Sequence, residues 1–146
     1  MNIAFATSES YLKPTAVAIY STIKNSNSFL RIYVLADNLC NKSKSFLLGL
    51  SIKGKSEIVI IDSHEALKTA ALNLNLTSLR GGYATYTRML LSDLLVDIDE
   101  VLLIDSDTLI LGDISKFTPD YSGVFNAARD FVILHKHSAH EDPDLT

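Results

Sequence analysis

Four short apolar runs recur along this chain, spaced widely enough to leave a helix between each pair. They are residues 2–7 (NIAFAT), 30–36 (LRIYVLA), 57–61 (EIVII) and 100–104 (EVLLI). Continuous apolar runs of this length belong to strands buried on both faces, the condition of a parallel sheet. The stretches between them read as helices. One starts near Pro14, carries Val17, Ile19, Tyr20 and Ile23, and closes at the turn residues 25–28. A second spans 42–52, with Phe46, Leu47 and Leu50 on one face and Gly54 beyond its end. A short third is capped by Asp62 and Ser63 and runs through Leu67; a fourth covers 83–95. Residues 70–80 alternate leucine with polar side chains, so strand and loop compete there until the break at Gly81-Gly82. Residues 108–111 read as extended, and 124–128 (VFNAA) as a fifth strand. Strands alternating with helices predict right-handed crossovers and an α/β fold of Rossmann type, with a mostly parallel sheet flanked by helices.

Charge and length narrow the function classes. The chain has 146 residues, the size of one domain, and a net charge of −4. A phosphate-backbone binder needs a basic face, so nucleic acid is not an expected partner. The same balance speaks against a polybasic membrane anchor. Cys40 is the sole cysteine, which excludes an internal disulfide and fits a reducing compartment. The first residues lack the basic and apolar regions of a signal peptide. No apolar stretch reaches the ~20 residues of a membrane span; the longest, 101–111, is broken by Asp105 and Asp107. The expected location is the cytoplasm, with peripheral contact at the inner membrane face compatible with it.

Asp105 and Asp107 follow the most apolar strand. In extended backbone, residues i and i+2 point the same way, so both carboxylates would share one small volume. Two buried like charges repel. A divalent cation removes the conflict, and hard oxygen donors suit Mg²⁺ or Mn²⁺. In open α/β sheets the space beyond the carboxyl ends of strands is also where ligands bind. The plainer alternative is a turn in which Asp-Ser-Asp merely ends a strand.

The surrounding residues sharpen this. Residues 83–113, YATYTRMLLSDLLVDIDEVLLIDSDTLILGD, are very similar to the signature of the family 8 glycosyltransferases: a Tyr-x-Arg helix, an apolar strand ending in Asp-x-Asp, then a Gly-Asp turn. Residues 2–25 resemble that family's first strand, nucleotide-binding loop and first helix, and NAARD at 126–130 its next strand. The resemblance runs in order from residue 2 to about 131. It implies a GT-A-like fold, with a nucleotide-sugar-binding domain over 1–131 and a polar tail or truncated continuation over 132–146. It implies metal-dependent transfer of a hexose from UDP-glucose or UDP-galactose to a glycan or lipopolysaccharide acceptor, with retention of configuration. By the same resemblance, the loop from Ala6 through Thr7 and Ser8 to Tyr11 holds uracil and ribose, Tyr11 stacking on the base. Arg88 pairs with the donor, Asp105 and Asp107 hold Mn²⁺ or Mg²⁺, the backbone at Ser106 lies near the ribose, and Asp130 sits on the sugar side as the candidate catalytic residue. Plainer alternatives stand beside these roles: a surface arginine, a hydrophobic staple for the first helix at Tyr11, and a strand-end turn at Asp130.

The departures from the family pattern are also legible. The first loop carries Ser8, Glu9 and Ser10 where the family has acidic and amide residues. The family's third metal ligand is a histidine far toward the carboxyl end, beyond this chain. His135, His137 and His140 read as part of a flexible polar tail and are not assigned to that role. The resemblance thus implies an incomplete domain, an inactive fragment being one outcome. Two other functions fit parts of the pattern. A haloacid-dehalogenase-like phosphotransferase also has Asp-x-Asp after an apolar strand, but it wants Thr or Val where Leu109 stands. A non-catalytic nucleotide-sugar-binding module needs no acceptor half.

Overall fold

Three of the apolar runs form strands slightly longer than expected, whereas the run at 100–104 is a strand over two residues alone. In the computed structural model, which describes residues 1–77 and 83–117, they are β1 (Asn2–Ser8), β2 (Leu30–Asp37), β3 (Ser56–Asp62) and the short β4 (Leu102–Leu103). All pair in parallel, in the order β3-β2-β1-β4. The predicted strand at 124–128 lies outside the described residues.

Helices α1 (Leu12–Asn25), α2 (Asn41–Leu48) and α3 (His64–Asn73) link these strands. One sheet face, carrying Ile3, Phe5, Ile32, Val34 and Ile58, packs with Ile19 and Ile23 of α1 and Leu47 of α2. The opposite face carries Ala4, Tyr33, Leu35 and Leu103, and packs with Leu91, Leu94, Leu95 and Ile98. The strands alternate between the two cores, which is why their sequences lack polar alternation.

Several sequence expectations change. Helix α2 stops at Leu48, with Gly49 rather than Gly54 at its end. Of its predicted apolar face only Leu47 is buried, whereas Phe46 is 52% exposed. Helix α3 runs on to Asn73, so the uncertain stretch after Ala70 begins as helix. Ser63 does not cap it through its side chain; its hydroxyl donates to the Ala36 carbonyl, 3.1 Å. The predicted helix over 83–95 is a 3₁₀ segment, Ala84–Met89, followed by a single turn, α4 (Leu91–Leu94). Thr85, Thr87 and two tyrosines restrict side-chain rotamers in a regular α-helix, and tight i→i+3 bonds replace it, as in Tyr86 N–H to the Tyr83 carbonyl at 2.8 Å. Residues 108–111 join no strand.

The central position of β1 makes its core face the most sensitive point of the fold. Phe5 is fully buried there. Phe5→Ala is expected to cost about 3–5 kcal/mol of unfolding free energy. Leu111→Ala, at a side chain 82% exposed, should change it by less than about 0.5 kcal/mol. Urea denaturation followed by circular dichroism reads both.

Candidate functional site

From β1 the chain builds outward to β2 and β3 on one side and to β4 on the other. Connections running in opposite directions cover opposite faces, so they part at the carboxyl ends of β1 and β4, the topological switch point at which open α/β sheets place their ligands. Two loops border it: residues 8–11 after β1 and 105–108 after β4.

The loops are stitched together. Ile104 N–H donates to the Ala4 carbonyl at 3.0 Å, the last backbone bond between the strands. Beyond it the Ser106 hydroxyl donates to the Ala6 carbonyl, and Ser106 is buried. The chain then turns, with Thr108 N–H on the Asp105 carbonyl at 3.2 Å. This replaces the extended geometry expected for the Asp-Ser-Asp triplet. Ser106 points inward, and Asp105 and Asp107, on either side of it, are exposed rather than buried. Asp105 accepts only its neighbour's amide, Ser106 N–H, at 3.2 Å. Neither carboxylate is paired with a basic side chain among the described residues. Both therefore remain available as hard oxygen donors to a hydrated dication. Among the described residues no third acid, histidine or cysteine joins them to complete a cluster.

The loop after β1 is held from behind. Thr7 is fully buried, and the Thr15 hydroxyl lies 2.7 Å from both Thr7 Oγ1 and the Tyr11 carbonyl. The Thr15 hydroxyl is the donor toward both, and the Thr7 hydroxyl donates to the Ser8 carbonyl at 3.3 Å. This fixes the end of the loop where Tyr11 leads into α1, and commits the Thr7 side chain to the fold. Ser8 and Ser10 hydroxyls meet at 3.0 Å. Glu9 turns to α2, accepting Cys40 N–H at 2.6 Å and the Ser43 hydroxyl at 2.9 Å. The Cys40 N–H, ahead of the two side chains, holds the Glu9 carboxyl below its ordinary range. This acid of the first loop thus sits at the start of a helix.

Arg88 is exposed on the 3₁₀ segment, which packs against β1 and β2, and makes no ion pair among the described residues. Asp130, His135, His137 and His140 lie outside the described residues. One group escaped the sequence reading. Asp37, which read as a simple strand end, is a buried carboxylate that receives the His64 ring and the amides of Tyr83 and Ala84.

Comparison with known proteins bears on family and fold. The sequence model described as "Glycosyl transferase family 8" matches residues 2–140. A protein of Haemophilus influenzae (strain ATCC 51907 / DSM 11121 / KW20 / Rd), named "Putative glycosyltransferase", is 26% identical over 144 residues, which is 97% of this chain and 42% of that protein. The WbbM bifunctional glycosyltransferase in its apo structure is similar with a TM-score of 0.63 and 21% identity, over 80% of this chain and 20% of WbbM. The galactosyltransferase LgtC, solved with donor and acceptor sugar analogues, is similar with a TM-score of 0.61 and 20% identity, over 79% of this chain and 41% of LgtC. These structures establish a GT-A-type fold, and the chain spans less than half the length of each relative.

Beyond the β4 loop the chain runs along α1 toward the amino edge of the sheet. Ile110 is held on α1 through both backbone groups, by Ser21 Oγ at 3.1 Å and Asn25 Nδ2 at 2.8 Å. Asp113 then accepts from Asn27 Nδ2 at 2.7 Å and the Ser115 hydroxyl at 2.6 Å. The Ser115 hydroxyl first, then the Asn27 and Ser115 amides, with burial opposing, hold Asp113 at about 2 against an ordinary 3.8. Because the folded value is the lower one, the unfolded chain takes up the proton more readily. The stabilisation is whole above about pH 4 and is lost as pH falls through about 2. Asp113→Ala should therefore unfold at lower urea than the parent at pH 7, and the gap should close between about pH 4 and 2. Thr87 offers an opposite case: its hydroxyl is buried with no hydrogen-bond partner among the described residues. Thr87→Val should raise the unfolding free energy by about 1 kcal/mol in the same assay.

Proposed function

Since the chain belongs to glycosyl transferase family 8, we propose that it binds a UDP-sugar at the switch point between β1 and β4. In the whole protein, a hexose is transferred from UDP-glucose or UDP-galactose to a glycan or lipopolysaccharide acceptor with retention of configuration. The observation that carries this reading is the placement of two exposed carboxylates, unpaired with any described basic group, at the topological switch point.

Each residue has a role in this reading. The loop from Ala6 to Tyr11 receives uracil and ribose: Tyr11 stacks on the base, and Ser8 and Ser10 offer hydroxyls. Ser106 keeps the two loops in register through the Ala6 carbonyl, leaving its backbone beside the ribose. Asp105 and Asp107 hold Mn²⁺ or Mg²⁺. Such an ion, bound with the diphosphate, supplies Lewis-acid stabilisation of the charge that grows on the leaving group. Arg88 adds a fixed cation with planar donors suited to phosphate. Asp130 is assigned to the sugar side. The work place is the cytoplasm, including the inner membrane face, and no described helix is long and apolar enough to cross a membrane.

The test is UDP titration with and without Mn²⁺. UDP should bind more tightly with the metal, and Asp105→Ala or Asp107→Ala should weaken binding at least as much as loss of a supporting group around a metal ligand, on the order of 10–100-fold. Equal UDP affinity in metal-free protein would overturn the assignment. Metal-dependent binding with no donor hydrolysis or transfer would mark these residues as a binding module. Turnover of p-nitrophenyl phosphate that disappears in Asp105→Asn would instead support phosphotransfer, which the family match disfavours.

A further inference from the structure

Asp37 ends β2, beside Ser8 at the end of β1, with which it is in register. Its side chain is 2% exposed. A carboxylate so buried is costly unless its lone pairs are met. Here they are met by two separate elements. Oδ1 takes the Nδ1 proton of His64, the first residue of α3, at 2.6 Å. Oδ2 takes the backbone N–H groups of Tyr83, at 2.5 Å, and Ala84, at 3.0 Å. These two amides open the 3₁₀ segment that carries Arg88. The cap residue of that segment supplies no side-chain hydrogen bond of its own.

We propose that Asp37, oriented by His64, is the positioning residue that seats the Arg88 segment beside the proposed nucleotide site. The segment is too short and too rich in threonine and tyrosine to hold itself. One buried carboxylate fastens its first two amides to the sheet, within one strand of the loop that receives the nucleotide. Arg88 follows four residues after the second fastened amide, little more than one turn away. Asp37 touches no ligand in this scheme and acts through where it places the arginine. The inference rests on the donor role proposed for Arg88.

A double-mutant cycle on UDP binding in saturating Mn²⁺ tests it. Arg88→Ala should weaken UDP binding about tenfold in the parent, and Asp37→Asn alone should do the same. Adding Arg88→Ala to Asp37→Asn should cost little more, because the arginine is already displaced. If the two losses multiply, Asp37 serves the fold alone and the proposal is overturned. If Arg88→Ala has no effect in the parent, the donor role of Arg88 falls, and this inference with it. Asp105→Ala should remain as damaging in the Asp37→Asn background as in the parent, which separates loss of the segment from loss of the metal site. Hydrogen exchange gives a readout that needs no ligand: Tyr83 and Ala84 amides should lose protection in Asp37→Asn while those paired between β1 and β2 keep it. Unchanged protection would also overturn the proposal. Should Asp37→Asn fail to fold, His64→Leu removes the orienting donor, while His64→Asn, whose amide reaches the place of Nδ1, should restore UDP affinity to within about twofold of the parent.

Discussion

Everything in this molecule is arranged around a strand with a parallel neighbour on each side. β1 gives its hydrogen bonds to β2 along its whole length and to β4 over two residues. Parallel strands require crossovers, and crossovers of one hand send their helices to opposite faces when the direction of build-out reverses. The reversal falls at β1. Helices α1 and α2 therefore close one face while residues 91–98 close the other, and the two sets part at the ends of β1 and β4. This switch point follows from topology, before any side chain at it is considered. Side chains decide what it can hold.

The acids around the carboxyl edge divide into two kinds. Glu9 and Asp37 each bind a neighbouring loop or helix end through several donors. Asp62 is held by Lys44 at 2.7 Å. These carboxylates fix loop positions without needing long apolar contacts, which short connections cannot supply. Asp105 and Asp107 differ. The only described group that meets either is the amide of Ser106. Two carboxylates flanking one turn residue, exposed and without described cations, leave their oxygens open to a counter-charge from outside. That contrast, more than the Asp-x-Asp spelling, supports the proposed metal role.

The strands were legible because burial on both faces leaves a continuous apolar run, a signal that does not depend on distant residues. The first helix was legible for a similar reason, since Pro14 in its first turn and Asn25 at its end act locally. What the sequence did not reveal was settled at long range. Nothing near residue 83 says that its amide will meet a carboxylate 46 positions earlier, and that contact accompanies a 3₁₀ segment where periodicity suggested α-helix. The partners of Glu9 were equally out of sight, since Cys40 and Ser43, which claim it, are distant in sequence. The geometry of Asp-Ser-Asp was misjudged because strand continuation was assumed, whereas the Ser106 hydroxyl found the Ala6 carbonyl and drew the chain into a turn. A signal for Asp37 did exist. A strand-end aspartate and a helix-start histidine both lay at the carboxyl edge, and topology alone made them neighbours.

The exposure of Asp105 and Asp107 also bears on how the proposed ligands would bind. Two carboxylates supply two of the six positions that an octahedral dication fills. With water in the other four, such an ion is held weakly, because little of its hydration is replaced. A diphosphate brings further anionic oxygens to the same ion, and the ion in turn offsets the repulsion between diphosphate and carboxylates. Each ligand then raises the affinity for the other by the same factor. A site of this kind stays open and hydrated when empty, which agrees with its exposed acids. It becomes strong only when donor and metal are present together. Rigidity of the loops is what makes that coupling effective. The Ser106 stitch and the Thr15 hydroxyl between Thr7 and Tyr11 are in place beforehand, so little ordering is left for the ligands to impose.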